Sequence, residues 1–244
     1  MGFLNKLFGN DGGAEQPESS KLQQNQHPCK TEQELLERYG GIGFERQLDF
    51  ADLIGSNSWN VDMQKGEMDF GPGLVFPIQV LGSFSHSSET WLWAWANTQS
   101  GIPQKLLQQA LQLQKYGADN EIDLLNISQF DATKDDMHMI GMVASGMFGA
   151  SAYYIADYGQ GALVVTIKSD LIDKVQKNDH YRIPTVFPQL ISQFEMNHKA
   201  ALSNYLMAKG YKVTENDRKL TGSKNGNTIT AEFDELDRLT KLSG

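Results

Sequence analysis

Three of the four tryptophans in this chain stand at every second position of the octapeptide Thr90–Asn97. They are Trp91, Trp93 and Trp95, and they alternate with leucine and alanine. Because successive side chains of a β-strand point to opposite faces, a strand through the octapeptide carries all three indole rings on one face. The opposite face is also apolar. Such a strand is typical of the centre of a sheet that is covered on both sides.

The row of tryptophans can be interpreted as part of a core or as the lining of a cleft. Large aromatic rings usually fill a hydrophobic core, but a row of them can also line an apolar cleft that binds a ligand. Tyr153 and Tyr154 lie in a second predicted strand and point to opposite sides, so one hydroxyl can join the tryptophan face. The candidate ligand-binding residues are Trp91, Trp93, Trp95 and Tyr153.

The net charge of the chain indicates which classes of partner it can bind. The 244 residues include 21 Lys and Arg against 30 Asp and Glu, which gives a formal charge of −9. An acidic chain disfavours nucleic acid and anionic lipid as partners, and it attracts a basic protein. Cys29 is the only cysteine, which excludes an intramolecular disulfide and a thiolate metal cluster. This cysteine usage predicts a reducing, cytoplasmic location.

The run Met139–Ala156 contains 18 residues without a charge, which is the lower limit for a membrane-spanning helix. It also contains small residues every fourth position, at Gly141, Ser145 and Gly149, and these let another element approach closely. The run is therefore interpreted as a buried helix leading into a strand. No integral membrane segment is predicted.

Residues 10–30 are rich in Gly, Gln, Ser, Asn and Glu, so residues 1–30 are predicted to be a disordered arm and linker. Residues 31–244 are predicted to form a single α+β domain, an antiparallel curved sheet with helices packed on one face. A helix followed by antiparallel strands occurs twice. This order leaves open two related sub-units that meet near residues 118–132.

Capping, glycine and proline signals place the individual elements. Helices are predicted from Thr31 to Gly55 with a break or kink at Gly40–Gly43, from Pro103 to Gly117, from Thr133 through the uncharged run, from Pro188 to Gly210, and as a last turn around 236–242. Strands are predicted at 59–64, 67–70, 75–85, 90–97, 153–157, 162–168, 211–214 and 228–233.

Together with Trp59-Asn60-Val61-Asp62, Gln79-Val80-Leu81-Gly82-Ser83 and Asn197-His198-Lys199, the tryptophan octapeptide resembles a family of uncharacterised, mostly bacterial proteins. The resemblance extends from about Leu35 to Leu242. It implies a shared fold, and it implies no chemistry. The octapeptide is the most specific of these segments.

Motifs for nucleotide or acyl chemistry are absent from the sequence. There is no Gly-x-Ser-x-Gly elbow and no phosphate-binding loop, so no cofactor is predicted. Two carboxylate–imidazole pairs have helical i, i+3 spacing, Asp135 with His138 and Glu195 with His198. Such pairs can chelate a metal in helical bundles. However, Asp135 also suits the N-terminal turn of a helix, and further carboxylate ligands are missing.

His86 is the weak catalytic candidate, since it lies in the turn just before the tryptophan strand and can act as an acid or a base. The chain is interpreted as a non-catalytic binding or interaction protein, for which an acidic inhibitor of the immunity-protein type is one concrete version. The alternative is an enzyme, such as a hydrolase, that uses an aromatic cleft with His86 or a metal. A buried orienting partner for His86 favours the enzyme, and an exposed acidic patch favours the binding protein.

Overall fold

The structure, a computed structural model, describes residues 27–244. Most of the predicted disordered arm, residues 1–26, lies outside the described residues. Within the predicted linker, Cys29 is fully buried in a hydrophobic cluster, and its backbone N–H donates a 2.8 Å hydrogen bond to the hydroxyl of Tyr116. The packed structure therefore begins before Thr31.

Cys29 is expected to react slowly with the thiol reagent DTNB. Its side chain is 0% exposed, and burial raises the pKa of the thiol, so little reactive thiolate is accessible. We expect the native rate to be at least ~100-fold below the rate in urea, because reaction must wait for local opening. Equal rates in native buffer and in urea would show that the segment around Cys29 does not pack.

The described residues form seven α-helices and eleven strands. The helices are α1 (Glu32–Ile54), α2 (Gln108–Asn120), α3 (Asp123–Asn126), α4 (Lys134–Met147), α5 (Asp170–Val175), α6 (Arg182–Gln193) and α7 (His198–Ala208). The strands are β1 (Asn60–Asp62), β2 (Glu67–Asp69), β3 (Val75–Ser85), β4 (Thr90–Trp93), β5 (Gln129–Asp131), β6 (Ala152–Asp157), β7 (Gly161–Ile167), β8 (Lys212–Asn216), β9 (Lys219–Lys224), β10 (Asn227–Phe233) and β11 (Leu239–Ser243).

The strands form two antiparallel sheets, which confirms the α+β class. In the seven-stranded first sheet, the long strand β3 pairs with β2, β4 and β7, while β1 and β5 extend the order and β6 pairs with β7. Strands from both sides of residues 118–132 thus share this sheet. The second sheet has the order β11-β10-β9-β8 and packs against α6 and α7. The sequence predicted one curved sheet where there are two.

Helix α1 runs unbroken through Gly40–Gly43, so the predicted break is wrong. The glycines instead allow close helix packing. A Cβ atom on Gly41 would lie 2.6 Å from the Cβ of Tyr205 in α7, and one on Gly43 would overlap the backbone of Met142 in α4. Because neither position carries a side chain, α1 can pack closely against both helices.

The predicted helix from Pro188 to Gly210 is wrong at its start and in its middle. Helix α6 begins at Arg182 and contains Pro188, and a break at residues 194–197 separates it from α7. Asn197 caps the second helix, since its side chain accepts a 2.8 Å hydrogen bond from the N–H of Ala200. The predicted last helical turn near 236–242 is also wrong. Most of that segment belongs to β11, which is held by pairing with β10.

Helix α2 continues past Gly117, where the sequence predicted its end. Gly117 serves as a close-packing position, because a Cβ atom there would lie 2.5 Å from the Cβ of Leu125 in α3. The capping box of Thr133 and Asp136 at the start of α4 is confirmed. The short elements α3, β5, α5 and β9 were not predicted.

The uncharged run Met139–Ala156 is divided between α4 and β6. At the end of α4, the guanidinium of Arg46 donates hydrogen bonds of 3.2 and 2.9 Å to the carbonyl oxygens of Ser145 and Ala150. A cation is favoured there by the helix dipole. None of the helices within residues 27–244 is both long and apolar enough to cross a membrane.

Candidate functional site

Two of the three alternating tryptophans lie in the core. Trp91 and Trp93 are 0% exposed and pack edge to face, with ring centroids 5.3 Å apart. The Trp93 indole N–H donates a 3.0 Å hydrogen bond to the carbonyl oxygen of Leu124. The gap beside Trp93 is only about 10 Å³, which leaves room for a single water at most. This part of the tryptophan face is packed and does not open into a cleft.

Trp95 lies outside the strand, because β4 ends at Trp93, and its ring packs at the border between the cluster of the tryptophan pair and the neighbouring hydrophobic cluster. The backbone N–H groups of Ala96 and Asn97 both donate to the carbonyl oxygen of Trp93, at 3.0 and 3.2 Å. These bonds turn the chain away from the sheet. The prediction of a strand through Asn97 is therefore wrong, and Trp95 is a half-buried residue of the turn.

Tyr153 is buried in the cluster that includes α6 and α7, apart from the cluster of the tryptophan pair. Its hydroxyl lies 3.0 Å from Nδ1 of His138, and burial raises the pKa of Tyr153 far above its ordinary value. Burial also lowers the pKa of His138. A tyrosine without access to solvent pairs here with a half-buried histidine, which satisfies both polar groups.

The four metal candidates lie in different surroundings. Asp135 and His138 are both on α4, where Asp135 is exposed and His138 contacts Tyr153 of the first sheet. His198 is the first residue of α7, and its Nδ1 accepts a 3.0 Å hydrogen bond from the N–H of Leu239 in the second sheet. Glu195 lies in the break between α6 and α7, so the helical spacing assumed for Glu195 and His198 is wrong. Within residues 27–244, no three His, Cys, Asp or Glu side chains are arranged to hold a metal.

His86 has a partner that the sequence did not predict. Its Nε2 lies 3.1 Å from Oδ2 of Asp157 at the tip of the β6–β7 hairpin. The N–H of Gly159 and the ring of His86 hold the pKa of Asp157 below its ordinary value. The backbone N–H of His86 also donates to the carbonyl oxygen of Gln160, at 3.1 Å. The two turns are thus joined at one end of the first sheet.

A third segment reaches the same end of the sheet. Thr90 in β4 pairs with Asp131 in β5, and the N–H of Ala132 donates a 2.8 Å hydrogen bond to the carbonyl oxygen of Glu89. Helix α4 starts directly after this point and carries Asp135 in its first turn. The turn after β3, the end of β5 and the hairpin tip therefore converge.

The convergence places exposed acidic side chains and one exposed aromatic residue at the same end of the first sheet. We use the name sheet-end cluster for His86, Glu89, Asp131, Asp135, Asp157 and Tyr158. The four acids are exposed, and Tyr158 is 55% exposed. Lys134 is a cation near Asp157. The cluster is accessible, tied together by backbone hydrogen bonds between its turns, and predominantly acidic.

The hydroxyl groups beside His86 are engaged with one another. The Oγ atoms of Ser85 and Ser87 lie 3.2 Å apart, and Ser88 Oγ lies 2.8 Å from Thr90 Oγ1. A serine nucleophile needs a hydrogen bond to its general base. These contacts orient the hydroxyls toward one another within the turn. Among the described residues, His86 therefore has a carboxylate partner, Asp157, but no hydroxyl nucleophile hydrogen-bonded to its ring.

Asp157 and Tyr158 belong to the site, but the sequence did not single them out. The strands on either side of the turn at Tyr158 were predicted, at 153–157 and 162–168, and they pair as an antiparallel hairpin. The missing information was the pairing of β3 with β7, which brings residues 85 and 161 side by side. That pairing is long-range and leaves no local pattern in the sequence.

Comparison with known proteins finds a match to the model of a family of unknown function, DUF6882, over residues 33–170. The matched segment contains the whole first sheet and the sheet-end cluster, and it stops before the second sheet. No curated protein and no solved structure matches the chain.

Proposed function

The chain belongs to the DUF6882 family of unknown function, and we propose that it is a non-catalytic binding protein whose sheet-end cluster contacts a basic protein partner. The observation that carries this proposal is the convergence of Glu89, Asp131, Asp135 and Asp157 at one exposed end of the first sheet. Acids grouped on one surface steer a cationic partner and fix its orientation.

Tyr158 adds a contact that charge alone does not provide. Exposed tyrosines are enriched among the residues that dominate binding energy, because the ring buries a large area and the hydroxyl keeps a hydrogen bond. Tyr158 lies next to Asp157, so a partner that pairs with the acid can also cover the ring. The cluster therefore combines an aromatic anchor with a charged rim.

The specific form we propose is a cytoplasmic, immunity-type inhibitor that covers a basic effector. Its support is charge complementarity, since the chain carries −9 and its sheet-end cluster is acidic. In this form the protein needs no cofactor. The basic protein would bind at strand ends that are already held by pairing with their neighbours. Ordering these residues on binding would cost little entropy, and this favours affinity.

A second candidate function is a hydrolase that uses His86, and the His86–Asp157 contact of 3.1 Å is the observation that favours it. A carboxylate can orient a catalytic imidazole. Against it, the neighbouring hydroxyls bond to each other, and Asp157 is exposed. Hydrolysis of p-nitrophenyl acetate that is lost in His86→Ala would favour the enzyme over the binding protein.

Neutralising the sheet-end cluster is expected to weaken binding of a basic probe. In the variant Glu89→Gln, Asp131→Asn, Asp135→Asn, Asp157→Asn, the dissociation constant for a decapeptide of alternating Arg and Lys should rise roughly tenfold at low salt, because the local field is removed. Isothermal titration calorimetry measures the change. Chemical shifts in wild type should move first at the sheet end.

The control carries the same change of net charge elsewhere. Asp170, Glu195, Asp217 and Glu232 are exposed and lie outside the sheet-end cluster, so their Asn and Gln variant should change the constant less than about twofold. An equal loss in both variants would mean that only net charge matters, and it would contradict a defined binding surface.

A further inference from the structure

A second feature lies on the other face of the first sheet. Gly82 and Phe84 pair with Trp93 and Trp91, so these residues share the face that carries the tryptophan pair. Ser83 points the opposite way, because side chains alternate along a strand. It pairs with Leu163 in β7, and both residues line a cavity of about 170 Å³.

The end of the tryptophan octapeptide forms one wall of this cavity. After β4 ends, the turn places Ala94 and Asn97 in the cavity lining, while Trp91 and Trp93 stay in the core. Asn97 Oδ1 accepts a 3.2 Å hydrogen bond from the N–H of Ser100, which also lines the cavity. This bond fixes the carboxamide and leaves its NH₂ group available to donate. The tryptophan octapeptide thus contributes Trp91 and Trp93 to the hydrophobic core, and Ala94 and Asn97 to the wall of the cavity.

The lining combines apolar surface with a few polar groups. Ala94, Ile102 and Leu163 supply aliphatic surface, and Ser83, Asn97 and Ser100 supply hydroxyl and amide groups. Tyr158 stands at the edge, half exposed. Among the described residues that line the cavity, none carries a charge. Mostly apolar walls with a few convergent polar groups are typical of sites for small molecules.

We propose that this cavity binds a small neutral molecule with a ring-sized apolar body and one hydrogen-bonding group. The volume sets the size, since an engineered apolar cavity of about 150 Å³ holds benzene. The polar side chains require a donor or acceptor on the ligand, because a purely apolar ligand would leave them without partners. The absence of lining charge excludes an ion, whose desolvation would not be compensated.

Titration of the full chain with phenol, toluene and benzoate tests the proposal, with methyl and amide NMR shifts as the readout. Phenol should give saturable shifts at Ala94, Ile102 and Leu163, and toluene and benzoate should bind at least tenfold more weakly. Equal binding of phenol and toluene would contradict recognition by the polar groups. No saturable shift at these residues with any of the three probes, which means a cavity holding water only, would overturn the proposal.

The second part of the test measures phenol binding by a variant in which a larger side chain fills the cavity. Ser83→Leu adds apolar atoms to the cavity at a strand position, and it should lower the affinity for phenol at least tenfold while the protein stays folded. Ser223→Leu is the matched control, because Ser223 is an exposed strand residue of the second sheet, and it should leave phenol binding unchanged. Unchanged binding in Ser83→Leu would overturn the assignment. The probes are neutral or anionic and do not touch the sheet-end acids, so this result is independent of the basic-partner proposal.

Discussion

Replacing Trp93 by alanine is expected to cost about 3–5 kcal/mol of the free energy of unfolding. The side chain is 0% exposed, packs against Trp91 and donates a hydrogen bond to the Leu124 carbonyl. Its removal creates a large cavity and leaves the half-buried Leu124 carbonyl oxygen without this donor. Urea denaturation followed by circular dichroism should show a lower midpoint with little change in slope.

Trp95→Ala is the matched control for this experiment. Trp95 is half-buried and lies past the end of β4, so the same truncation should cost clearly less, about 1–2 kcal/mol. Acrylamide should quench Trp95 more than the two buried rings. Equal losses in both variants would contradict the division of the octapeptide into a core part and a turn part.

The octapeptide also shows how far the sequence predicts this fold. Period-two alternation correctly gave a strand for Trp91 and Trp93, because that pattern reflects their packing against the helices. The same pattern continues to Trp95, but the backbone bonds to the Trp93 carbonyl end the strand first. Alternation reports which residues can share a face. It does not report where the hydrogen-bonded ladder stops.

The glycines of α1 and His86 show a second limit of prediction from the sequence. Gly40–Gly43 predicted a break in a helix, since glycine is a poor helix former, yet the helix continues because α4 and α7 occupy the space beside the glycines. His86 was a candidate on its position alone. Its partner Asp157 lies 71 positions away along the chain, and it could be found only once the pairing of β3 with β7 was known.

The buried ion pair between Glu45 of α1 and Lys209, which directly follows α7, was not predicted either, and removing one of its partners should strongly destabilise the protein. Glu45 is 3% exposed and Lys209 is 4% exposed, and the ammonium lies 2.6 and 2.8 Å from the two carboxylate oxygens. The hydroxyl of Tyr205 also donates to Glu45. Burial lowers the pKa of Lys209, and the attraction of Glu45 opposes that shift. The charged lysine therefore depends on its acid.

Glu45→Gln is accordingly expected to destabilise the protein by about 3–5 kcal/mol, because it leaves a buried ammonium without a counter-charge. Asp52→Asn is the matched control. Asp52 pairs with Lys177 at 2.6 Å, but both side chains are exposed, so its loss should cost less than about 1 kcal/mol. The double variant Glu45→Gln, Lys209→Gln should lose less than the sum of its single variants, since neither charge remains to be compensated. Additive losses in urea denaturation would show that the two groups act separately and would contradict this prediction.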